Sequence, residues 1–148
     1  MDYETVTPAA FGASLSGLGL NLLVRDVAAE LRFLRHVFAM TGHRASGDFA
    51  IVTYGRAVFQ LHADRTYGGN PLLGLLPEAG ARGAGLEIRL YDTDPDAAAA
   101  RAEDGGGHVL QAPTNKPHGL REAYILCENG YARVPSRPLG MDERAALD

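Results

Sequence analysis

The chain has 148 residues, 46% of them apolar and 22% charged, with a formal net charge of −4. That balance describes one ordinary globular domain rather than a disordered chain. It gives no electrostatic case for nucleic acid, because Lys and Arg are scattered rather than clustered. The apolar runs break well before the length needed to cross a bilayer, so no membrane partner is expected. The opening Met1-Asp2-Tyr3-Glu4 is acidic and lacks the basic start of a secretory signal. Cys127 is the single cysteine, which forbids an intrachain disulfide and fits a reducing cytoplasm.

Taken in order, residues 1–17 carry small residues without periodicity and read as a loosely held arm. Leu18 to Val24 reads as a strand, and Asp26 is placed to cap a helix on whose one face Val27, Leu31, Leu34 and Phe38 recur. Thr41-Gly42 ends that helix, strands follow at Gly42 to Ser46 and Phe49 to Tyr54, and the second of these forms a hairpin with Ala57 to His62 around Gly55-Arg56. Residues 63–84 form a long connection rich in leucine (Leu72, Leu73, Leu75, Leu76), which calls for a short helical turn or a partner subunit to cover it.

The second half repeats the first. Gly19-Leu20-Asn21-Leu22-Leu23-Val24-Arg25-Asp26 has the shape of Gly85-Leu86-Glu87-Ile88-Arg89-Leu90-Tyr91-Asp92, 66 positions later. In that strand Leu86, Ile88 and Leu90 point one way, and Glu87, Arg89 and Tyr91 the other. If the apolar side packs under the following helix, Glu87 and Arg89 face whatever the sheet encloses. Asp94-Pro95 opens the next helix, Gly105-Gly106-Gly107 stops it, and His108 to Gln111 is a short strand. Leu120 to Cys127 and Tyr131 to Val134 close the fold as a hairpin around Glu128-Asn129-Gly130, with a polar tail beyond. Each half reads βαβββ, an α+β pattern.

A repeated βαβββ unit, ending in Pro117-His118-Gly119-Leu120-Arg121-Glu122-Ala123-Tyr124 and then Gly130-Tyr131, resembles the vicinal oxygen chelate superfamily. That group holds the glyoxalase, bleomycin resistance protein and dioxygenase families, and the final motif leans toward the bleomycin-resistance branch. The resemblance implies a single domain over residues 18–139, with one module at 18–62, the connection at 63–84, the second module at 85–139, and a tail at 140–148. It further implies that the two modules form an incomplete barrel around a cavity. Metal-dependent members place His or Glu at four positions that match Gly19, Gln60, Gly85 and Val134 here. None of these is a good ligand, so neither a metal nor any other cofactor is expected.

The residues allow another site. Asn21, Gln60 and His62 share one face of the first module, and Glu87, Arg89, Glu122 and Tyr124 one face of the second. His62 can equally bond Asp64 at a strand end, and Glu87 with Arg89 can equally be a solvated ladder. Two functions follow. The first is a metal-free homodimer that binds a small, partly aromatic or cationic molecule through these seven residues, as bleomycin-resistance relatives do. The second is an enzyme, with His62 and Glu122 as candidate catalytic residues, working by acid/base chemistry or through a divalent metal on His62, Glu87 and Glu122.

Overall fold

The computed structural model describes residues 1–147, which divide into two compact units. The first comprises residues 1–35 and 39–76; the second comprises residues 36–38 and those from 77 onward.

The first unit opens with a helix α1 (Pro8–Ser14), capped by the Thr7 side chain accepting from Ala10 N–H. It continues through β1 (Asn21–Val24), α2 (Val27–Phe38), β2 (Thr41–His43), β3 (Phe49–Tyr54) and β4 (Ala57–Ala63). The four strands form an open sheet in the order β1-β4-β3-β2, with β1 parallel to β4 and the other pairs antiparallel. Helix α2 starts where expected, because Asp26 Oδ1 accepts from Ala29 N–H at 3.0 Å. It ends at Ala39, a non-glycine residue in the left-handed region (φ 56°), whose N–H and that of Met40 return to Arg35 and Leu34 carbonyls. The helix lies on the sheet face that carries Gly42, where an added Cβ would stand 2.7 Å from Leu31 Cδ2. Leu22, Val24, Ala50, Val52 and Leu61 are buried on that face.

The arm is not loose. Tyr3 packs edge-on to Phe11 and lies 5.4 Å from the His43 ring, while Glu4 accepts from Arg44 N–H at 3.0 Å. Phe11 is buried, so the arm contributes to the core of its own unit. Apolar content without period hid this, since one short helix needs only one anchor.

The second unit contains β5 (Glu87–Leu90), α3 (Pro95–Ala102), β6 (His108–Asn115), β7 (Leu120–Leu126), β8 (Ala132–Pro138) and α4 (Met141–Ala145). Its sheet is also open, in the order β5-β8-β7-β6. Strand β6 runs beyond the four residues expected, to Asn115, with irregular pairing around Pro113. Strand β8 also runs past Val134, to Pro138. Pairing with β7 continues to Leu120↔Pro138, because proline loses only the donor that the ladder does not require there. The tail carries α4 rather than irregular chain. In the closing turn Gly130 is required twice over: its φ is +76°, and a Cβ would sit 2.4 Å from Ala81 Cα.

The internal repeat is real but not uniform. From Asn21 to Glu87 the strands repeat at 66 residues, yet the helices repeat at 68, from Val27 to Pro95. The two extra residues belong to a detour in which Asp92 takes a left-handed backbone (φ 50°). Strand β5 ends opposite Pro135, and the detour lets Thr93 N–H reach the Ser136 carbonyl at 2.9 Å. No helix among the described residues is long and apolar enough to cross a membrane.

Candidate functional site

In the second unit, α3 lies against the sheet face that carries Arg121, whose guanidinium donates to both carboxylate oxygens of Asp96 at 2.7 and 2.8 Å. Register places Ile88, Leu90, Ala123 and Ile125 on this face and Glu87, Arg89, Glu122 and Tyr124 on the other. On that other face the four polar residues join into one cluster. Arg89 donates through Nη2 to Glu122 Oε2, and its Nη1 reaches Glu87 Oε1 at 3.4 Å. The two carboxylates differ sharply: the Glu122 side chain is 2% exposed, that of Glu87 43%. The Tyr124 hydroxyl donates to Glu87, and the Arg89 guanidinium lies 5.7 Å from the Tyr91 ring centre.

The electrostatics follow from these contacts. Burial alone would push the Glu122 carboxyl up, but Arg89 and His118 outweigh it and hold the group below its ordinary range. Arg89 shows the mirror image, its desolvation outweighed by Glu122 and Glu87, so its basicity rises. The bond to Glu87, and then burial, push the Tyr124 phenol up. His118, read from sequence as a surface residue, brings Nε2 to 3.3 Å from Glu122 Oε2. Its placement four residues before Glu122, across the turn at Gly119, was the available signal. Ser136 pairs in register with Glu122 and carries a fully buried hydroxyl without a hydrogen-bond partner.

In the first unit, the face away from α2 carries Asn21, Gln60 and His62. Asn21 pairs with Gln60 across β1 and β4, and His62 pairs with Phe49 across β3 and β4. Asn21 is exposed, whereas Gln60 and His62 are half-buried. The expected bond from His62 to Asp64 does not form on Nε2, which is out of water and has no hydrogen-bond partner. Instead the imidazole stands between two rings, 5.2 Å from Phe49 and 5.4 Å from Tyr67, both roughly edge-on. Burial holds its pKa below the ordinary histidine value, so the ring is neutral. Tyr67 closes the 3-10 turn Asp64–Tyr67 in the connection, and nothing in the sequence marked it.

A metal does not fit these residues. Between Glu87 and Glu122, where a cation would have to stand, the Arg89 guanidinium already supplies the positive charge. Among the described residues no group of three or more His, Cys, Asp or Glu side chains is placed to hold a metal ion.

No family model matches the sequence, and no curated relative is found. Solved structures do match. A glyoxalase/bleomycin resistance protein/dioxygenase family enzyme from Burkholderia phytofirmans PsJN is similar at a TM-score of 0.69 and 17% identity, over 82% of this chain and 97% of that one. TioX from Micromonospora sp. ML1 is similar at 0.60 and 19% identity, over 84% and 99%. The fosfomycin resistance protein FosX from Mesorhizobium loti is similar at 0.60 and 17%, over 88% and 98%. The two open four-stranded sheets, each with its crossover helix, thus give this chain the fold of the glyoxalase/bleomycin resistance protein/dioxygenase group, the vicinal oxygen chelate fold.

Proposed function

We propose that the protein is a metal-free binding protein for a small cationic molecule with an aromatic part, taken up at the Glu87, Arg89, Glu122 and Tyr124 cluster. The carrying observation is the charge balance. Arg89 spends its guanidinium on Glu122 and Glu87, and His118 beside Glu122 adds a second cation only when protonated, so with a neutral imidazole the cluster is left with a surplus negative charge. Glu87 is the carboxylate open to water, and it is the group a ligand's ammonium or amidinium meets. Arg89, already held by both carboxylates, is not open to an anionic ligand. Cys127, a free thiol, suits a cytoplasmic setting.

Resistance proteins sharing this fold, such as the fosfomycin resistance protein above, support the reading by analogy only. The reading includes a homodimer, in which a second copy covers Leu72 and Leu75, both exposed in the connection. The enzyme reading is weaker because the Glu122 carboxylate is already engaged by Arg89 and His118.

The test is calorimetric titration of the full chain with benzylamine and with benzoate, alongside elemental analysis and sedimentation. Benzylamine should bind and lose about tenfold in affinity in Glu87→Gln, the size of one charge-assisted hydrogen bond. Preference for benzoate, or about one transition metal per chain surviving dialysis, overturns the proposal. A monomer at micromolar concentration removes the dimer from it.

A further inference from the structure

A buried imidazole nitrogen with nothing to bond is unusual, because burying a polar group without a partner is costly. His62 Nε2 is such an atom, and it belongs to the first unit, whereas the charged cluster is built from residues of the second. Around it are Phe49 and Tyr67, both half-buried and both edge-on to the imidazole, with the half-buried Gln60 amide two residues away on the same strand face. Phe49 is fixed by the strand ladder, whose register pairs it with His62. Tyr67 is not fixed in this way. It ends a one-turn 3-10 helix that has no buried residues, and Gly68-Gly69 follow it.

From this arrangement we infer a second recognition site, distinct from the charged cluster, in which Phe49, Gln60, His62 and Tyr67 take a flat, uncharged ring that carries its own hydrogen-bonding edge. Tyr67 swings outward on its turn to admit the ring, and His62 Nε2 receives the partner it lacks. The ligand is uncharged because the imidazole is neutral and none of the four side chains carries a charge to offset one. Its edge both donates and accepts, as a ring amide does, because Nε2 donates in one tautomer and accepts in the other.

The experiment uses the full chain and three probes of nearly equal size: 2-quinolone, N-methyl-2-quinolone and naphthalene. Binding is followed by the quinolone fluorescence and by calorimetry. The expected result is binding of 2-quinolone about tenfold tighter than naphthalene, the worth of one buried hydrogen bond. N-methyl-2-quinolone reports the tautomer: it matches 2-quinolone if Nε2 donates and falls to the naphthalene level if Nε2 accepts. The variant His62→Phe keeps the ring packing but removes the nitrogen, and it should equalise the three probes. Glu87→Gln should leave quinolone binding unchanged, which separates this site from the cationic one. Equal affinity for 2-quinolone and naphthalene in the wild type, a preference that survives His62→Phe, or no binding of any probe would each overturn the inference. Circular dichroism of His62→Phe checks that the variant is folded. If it is not, His62→Gln provides the second comparison, retaining a polar edge and so part of the preference.

Discussion

Arg89 is held between a carboxylate that water reaches and one that it does not, and the two should answer differently to mutation. Replacing Arg89 with Leu strands the buried Glu122 carboxylate, leaving it the His118 contact in place of the guanidinium. The expected cost is about 3 kcal/mol, the low end for breaking a buried pair. Adding Glu122→Leu to that variant should recover most of the loss, whereas Glu87→Gln alone should cost about 0–1 kcal/mol, because that pair is solvent-screened. Urea denaturation of the four proteins measures this; a loss below about 1 kcal/mol for Arg89→Leu, or no recovery in the double variant, would contradict it. His62 gives a pH signature at the same scale. Its folded pKa lies below the ordinary 6.5, so the unfolded chain binds the proton first as pH falls. The stability it allows is therefore complete above about pH 6.5 and is lost progressively below it. His62→Phe should flatten the fall in melting temperature just below that pH; an unchanged slope would place the imidazole in water.

Among the elements, α4 is the one most dependent on a single side chain. Glu143 accepts from both Arg137 nitrogens at 2.8 and 3.0 Å and from Gly140 N–H at 2.9 Å, which ties the helix start to β8. Arg137 first, then the Gly140 amide, hold the Glu143 carboxyl down to about 2. The attachment is thus complete above the ordinary glutamate range and fails only as pH approaches that value. Hydrogen exchange in Glu143→Gln should show residues 141–145 exchanging faster with β7 and β8 protected as before; faster exchange across the whole unit would give α4 a larger part in the fold. Elements also show what the sequence discloses. Asp26 and Asp94 announce their helices because capping is a local interaction. The full length of β6 and β8 stays hidden because Pro113, Pro135 and Pro138 each read as a stop. Only the neighbouring strand reveals that the missing donor is not needed. Glu87 and Arg89 could be placed on one face by alternation, but Glu122, the second partner of Arg89, is 33 residues from it, and no local rule supplies that pairing.

For the molecule as a whole, two sheets built from one repeated plan explain how the fold can be read from a single chain. What the repeat does not carry is the chemistry of each half: aromatic and neutral around His62, charged around Arg89. The detour at Asp92 has a consequence for the ancestry this suggests. Strands and helices of the two halves cannot be superimposed with one offset, so a hybrid made by exchanging corresponding segments would be mistimed. Deleting Asp92 and Thr93 would restore a common spacing of 66 throughout, yet it would turn α3 by about 200° relative to its sheet, two residues at 100° each. Asp96 would then point away from Arg121, and Ala98 and Ala102 would leave the surface they are buried against. The expected outcome is a chain whose near-ultraviolet dichroism is lost in part and whose unfolding is no longer a single transition. Full retention of the wild-type melting curve would mean that the halves remain interchangeable parts, as a freshly duplicated ancestor's would have been.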